Sequence, residues 1–114
     1  MVDKDKQAEE LMNEVVKRIN ESAEAMEGWG KAFQMFFTDI NTGYWVKVAM
    51  DGHVEKFEKG MKDRKESAAV ISIDVDTFGG ILNKTTGAQE AMNKGKIKID
   101  GGLAELIKLN LIFS

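Results

Sequence analysis

The stretch from Gly95 to Phe113, GKIKIDGGLAELIKLNLIF, changes hydrophobic period once, and it does so at a pair of glycines. Lys96, Ile97, Lys98 and Ile99 alternate as a half-buried strand does. Beyond Asp100, Gly101 and Gly102 the spacing turns helical. Leu103, Leu106, Ile107 and Asn110 then share one face, while Leu109, Ile112 and Phe113 widen the apolar stripe past an ordinary seam. Such a helix is greasier than one docking face requires. The surplus has three outlets: deep burial in a core, a dimer contact, or a wall against a hydrophobic guest.

A chain of 114 residues suits one domain, spanning 1–114, and buries roughly two thirds of its unfolded surface. Hydrophobic residues make up 43% and charged residues 31%, as in a soluble globular protein, and no apolar run reaches the ~20 residues of a membrane span. The acidic, polar opening MVDKDKQAEE is not of the secretory type, and Ile112, Phe113 and Ser114 do not form a peroxisomal address. A cytoplasmic location is the expectation. Without cysteine there is no disulfide framework, thiol nucleophile or thiolate metal site. A net charge of -3 with signs mixed along the chain offers no basic field for nucleic acid.

From Asp3 to about Glu27, Leu11, Met12, Val15, Val16, Ile19, Ala23 and Met26 recur at three- and four-residue steps among Glu, Lys and Arg. This pattern predicts an amphipathic helix ended by Gly28 and Gly30. Its mixed, Glu-rich polar side suits a helix laid on a sheet better than one laid on a membrane. Lys31 to Ile40 and Tyr44 to Met50 read as two strands. Phe33, Met35 and Phe37 share a face of the first, and Tyr44, Val46, Val48 and Met50 share a face of the second, with Gln34, Thr38 and Lys47 pointing the other way. Asp51-Gly52 is a hairpin signal, so His53 to about Lys59 returns as a third strand, charged enough for a sheet edge. After the charged connection Gly60 to Ser67, Ala68 to Val75 reads as a central strand. Asp76 is placed to cap a short helix through Phe78, Ile81 and Leu82, and Thr86 with Gln89 to form a capping box for another. The sum is an α+β fold in which helices cover a single sheet.

Candidate chemistry is scarce. His53 is the one histidine, and no nucleophile or orienting partner can be named for it. Asp74, Asp76 and Gly79 begin like a calcium loop, but Phe78 and Thr85 stand where ligands are needed. Gly79-Gly80 lacks the lysine of a phosphate cradle, so a close helix-to-sheet approach explains it better. The expectation is a non-catalytic protein with no metal and no cofactor. Seven methionines and six phenylalanines supply large, adaptable apolar walls.

Several pieces together resemble the sterol carrier protein 2 family of lipid-binding domains. They are Tyr44-Trp45-Val46 leading into Asp51-Gly52, then Ala69-Val70-Ile71-Ser72-Ile73 followed by Asp76-Thr77-Phe78. Ala91-Met92 ahead of Gly95-Lys96-Ile97-Lys98-Ile99, the turn at Asp100-Gly101, and the helix Leu106 to Phe113 complete the set. Gly102 departs from the pattern, standing where the family often carries Asp or Asn. The resemblance implies a single five-stranded, mostly antiparallel sheet with helices packed on one face, enclosing an apolar tunnel (the SCP2-like fold). It implies non-catalytic binding or transfer of a fatty acid, acyl-CoA, sterol or phospholipid, with transient membrane contact and a monomer or weak homodimer. Domains of this kind also occur as non-catalytic parts of larger enzymes. By position, Phe33, Met35, Phe37, Val46, Val48, Ile71, Ile73, Phe78, Leu82, Met92, Ile97 and Ile99 would line the tunnel, with Leu106, Leu109 and Phe113 at its mouth. The alternative is a ligand-free interaction or dimerisation module that uses the apolar C-terminal helix.

Overall fold

The computed structural model describes residues 3–113, and side-chain surroundings as far as Asn110. Helix α1 (Lys4–Glu21) starts at Asp3, whose carboxylate accepts from the Asp5 and Lys6 amides, and buries Ala8, Met12, Val15 and Ile19. Ser22 interrupts the long helix the periodicity predicts, leaving a single turn α2 (Ala23–Met26) before the glycines. Strands β1 (Ala32–Phe37), β2 (Thr42–Val48) and β3 (Val54–Lys59) form an antiparallel meander, with β3 at the sheet edge. Gly52, at φ 92°, turns the chain between β2 and β3 where a β-carbon would run into the Ala23 carbonyl oxygen of α2.

From β3 the chain crosses the outer face of the sheet, through a 3-10 turn at Arg64–Glu66, to reach β4 (Ala69–Ile73). Gln34 explains how that crossing is held. Its side chain points away from the helices yet is fully buried, because its amide donates to the Lys62 carbonyl (3.2 Å) and the Ser67 hydroxyl (3.0 Å). Its oxygen accepts from the Lys62 amide (2.7 Å), and nearby the Trp45 indole donates to the Glu66 carbonyl (3.1 Å). Every polar atom of the buried amide side chain is thereby used.

The crossing sets β4 parallel to β1, the one parallel pairing in the strand order β3-β2-β1-β4-β5. Helix α3 (Val75–Leu82), helix α4 (Ala88–Asn93), strand β5 (Ile97–Gly101) and helix α5 (Leu103–Phe113) complete the α+β arrangement. Two capping expectations change. Asp74 rather than Asp76 caps α3, accepting from the Thr77 amide (2.9 Å) and hydroxyl (2.6 Å), while Asp76 in the first turn pairs with Lys4 at 3.1 Å. Thr86 and Gln89 form no capping box. The Thr85 and Thr86 amides both donate to the Gly80 carbonyl, which folds this loop back on α3, and α4 starts after Gly87 without a side-chain cap. Gly80 therefore serves a close approach, but to Thr86 rather than to the sheet.

Phe33, Met35, Phe37, Tyr44, Val46, Val48, Ile71 and Ile73 face α1 and α3 and are at most 2% exposed. The Phe37 ring sits 5.8 Å from Phe78 and 6.0 Å from Tyr44, centroid to centroid, so this face is filled by interlocked rings and branched chains.

An apolar cleft at the sheet edge as candidate functional site

At the other edge of the sheet the layers do not close. Strand β5 alternates, turning Ile97 and Ile99 toward the helices and Lys98 and Asp100 outward. Helix α4 adds Ala88 and Met92, one helical turn apart, and α5 adds Leu106, Ile107, Leu109 and Asn110. Between these three elements lies a cleft of about 320 Å³, at the lower end of the ~300–1,000 Å³ usual for small-molecule sites. Asn110 is the one polar residue among its described lining.

Helix α5 is apolar on all sides, so its sequence does not fix its rotation. The structure anchors it on Leu109, 2% exposed, and leaves Leu103 at 74% and Ile107 at 65%. Polar ties add to its attachment, among them Lys31 Nζ meeting Glu105 Oε1 at 2.6 Å and Lys108 Nζ donating to the Ala25 carbonyl at 2.8 Å. The Lys31 hydrogen bond holds the Glu105 carboxyl below its ordinary range. On the outer side of β5, Arg64 reaches Asp100 at 2.9 Å and lowers that carboxyl likewise, fastening the edge strand to the crossing segment. Gly102, where a polar cap was missing from the sequence, offers only its carbonyl, which accepts from the Leu106 amide.

The residues expected to line a tunnel separate into two groups. Met92, Ile97, Ile99, Leu106 and Leu109 come together in the cleft. Phe33, Met35, Phe37, Val46, Val48, Ile71, Ile73, Phe78 and Leu82 lie in the filled core and none of them lines the cleft, because α1 and α3 occupy the volume above β1, β2 and β4. The Phe113 side chain lies outside the described residues. Ala88, Ile107 and Asn110 join the lining without having been named for it; Ile107 and Asn110 were already legible as part of one α5 face. Elsewhere, His53 is exposed and pairs with Asp51 at 3.3 Å. Among the described residues no group of three His, Cys, Asp or Glu side chains could hold a metal ion. The Tyr44 hydroxyl and the Trp29 indole N–H are buried without hydrogen-bond partners, and neither lines the cleft.

The model of the SCP-2 sterol transfer family matches residues 12–114, which includes the whole sheet and all three elements of the cleft. The chain belongs to the SCP-2 sterol transfer family. Among curated proteins none matches it. Solved structures share its fold. A crystal structure of sterol carrier protein 2 superposes with a TM-score of 0.62 at 17% identity, covering 90% of this chain and 86% of that one. The solution structure of palmitated SCP2L2 from Aedes aegypti gives 0.56 at 19% identity, covering 85% and 90%. The sec-alkylsulfatase Pisa1 from Pseudomonas sp. gives 0.64 at 18% identity, but this chain, matched over 80% of its length, spans only 13% of that enzyme. The SCP-2 fold therefore occurs both as most of a chain and as a small part of a larger one.

Proposed function

We propose that this SCP-2 family member binds one lipid chain non-covalently in the β5–α4–α5 cleft and carries it or presents it to a partner enzyme, without catalysing a reaction. The supporting observation is the cleft itself, whose described walls are apolar apart from Asn110. A volume near the bottom of the usual range favours a fatty acid or acyl thioester over a four-ring sterol or a two-chain phospholipid. Burying ~15 methylenes at about 0.8 kcal/mol each is worth roughly 12 kcal/mol gross. Association and ordering remove about 4–15 kcal/mol of it. At the low end of that cost about 8 kcal/mol remains, on the order of micromolar, tight enough to hold a lipid and loose enough to release it. The cytoplasm, with transient contact at a membrane that supplies the lipid, is the setting this reading assigns.

A second reading follows from the exposure of Leu103 and Ile107, which would serve a dimer or docking contact instead. Native mass spectrometry with lipid extraction separates the two. Near one co-purifying lipid per chain is the expected result. A lipid-free dimer that Ile107→Glu dissociates would replace the carrier with the interaction module.

A further inference from the structure

Burial divides the described methionines into two sets. Met12, Met26 and Met35 are at most 1% exposed in the core, whereas Met50, Met61 and Met92 are 65%, 45% and 47% exposed. The sulfurs of Met50 and Met61 rest against the backbone at Gly30 and Gly43, and neither residue lines the cleft. Met92 does line it, on α4 beside Ala88 and next to Ile97 and Ile99 of β5. One thioether is therefore both open to a dissolved oxidant and part of the apolar wall. Its backbone is committed to closing α4, the Met92 carbonyl accepting from the Gly95 amide at 3.0 Å, so chemistry at the sulfur changes the wall and leaves the helix end in place.

We propose that Met92 is a modification site for hydrogen peroxide, and that its conversion to the sulfoxide expels the lipid chain from the cleft. The inference rests on the cleft being the lipid site and adds a redox control of that site. A sulfur lone pair attacks one peroxide oxygen, the O–O bond breaks, and the other oxygen leaves as water after taking up the proton of the transferred one. The thioether is oxidised to a sulfoxide, a reversible change that turns an apolar side chain into a polar one. In the empty cleft the new oxygen stays hydrated and the fold is kept. With an acyl chain in place it must give up that water to face methylenes.

The test treats the full chain with hydrogen peroxide, follows each methionine by peptide mass mapping, and titrates nitrobenzoxadiazole-labelled lauric acid before and after. Met61, matched to Met92 in exposure, is the internal reference. Treatment is expected to weaken binding about tenfold in the wild type and equally in Met50→Leu/Met61→Leu. Met92→Leu should bind the labelled acid with the same affinity before and after treatment. Saturating lauric acid should slow oxidation of Met92 severalfold and leave Met61 unaffected. Met92 staying reduced while Met61 oxidises, or an oxidised Met92 with affinity within about twofold of untreated protein, would overturn the modification site with the lipid site intact. Failure of the labelled acid to bind untreated wild-type protein would overturn the lipid-site reading, and this inference with it.

Discussion

Phe37→Ala is expected to lower the unfolding free energy by about 3–5 kcal/mol in urea titration, and to leave fatty-acid affinity unchanged in the protein that remains folded. Phe37 has no exposed surface and packs against both Phe78 and Tyr44, so truncation opens a hole that rigid neighbours on β2 and α3 cannot collapse into. That cost is a large share of the total stability of a domain this size. The pairing of effects discriminates between a core and a tunnel wall. Had Phe37 lined ligand space, its removal would cost little stability and change affinity. A variant of near wild-type stability that has lost lipid binding would move the site from the β5 edge to the middle of the sheet.

Leu106→Glu should do the reverse. Leu106 is half-buried at the cleft, so a carboxylate there can reach water in the lipid-free protein and the fold survives. With an acyl chain in place the same carboxylate must face methylenes or leave the chain partly wet, a penalty of several kcal/mol. Fatty-acid affinity should fall roughly a hundredfold, about 2.7 kcal/mol, with the urea midpoint shifted only slightly. Titration of a fluorescent fatty acid into the variant checks this, and an affinity within a factor of about two of wild type would remove α5 from the binding wall.

Much of this architecture is legible in the residues themselves. Alternation at Phe33, Met35 and Phe37, and again at Ile97 and Ile99, places the inner face of the sheet, and the charged β3 segment identifies one edge. The parallel pairing of β1 with β4 is not legible, because a strand buried on one face shows the same alternation whichever neighbour it pairs with. Gln34, which hydrogen-bonds the crossing segment, reads as an ordinary outward polar residue until that segment folds over it. The site suffers from a related degeneracy. Phe37 and Ile99 are both inward, apolar and strand-borne; that one meets a filled core and the other a cleft depends on where α1 and α3 end, and no local pattern encodes that. For α5, apolar residues on every side leave its rotation to be fixed by Leu109 and by two lysine contacts from distant segments.

The position of the bound lipid chain distinguishes a site at the β5 edge from one in the middle of the sheet. Photo-crosslinking with a diazirine-bearing palmitic acid, followed by peptide mapping, locates it directly. Label is predicted on α4, β5 and α5, at Met92, Ile97, Ile99 and Leu106, at near one adduct per chain. Label concentrated on Phe33 to Val48, or protein left unlabelled at saturating acid, would contradict a lipid site at this edge.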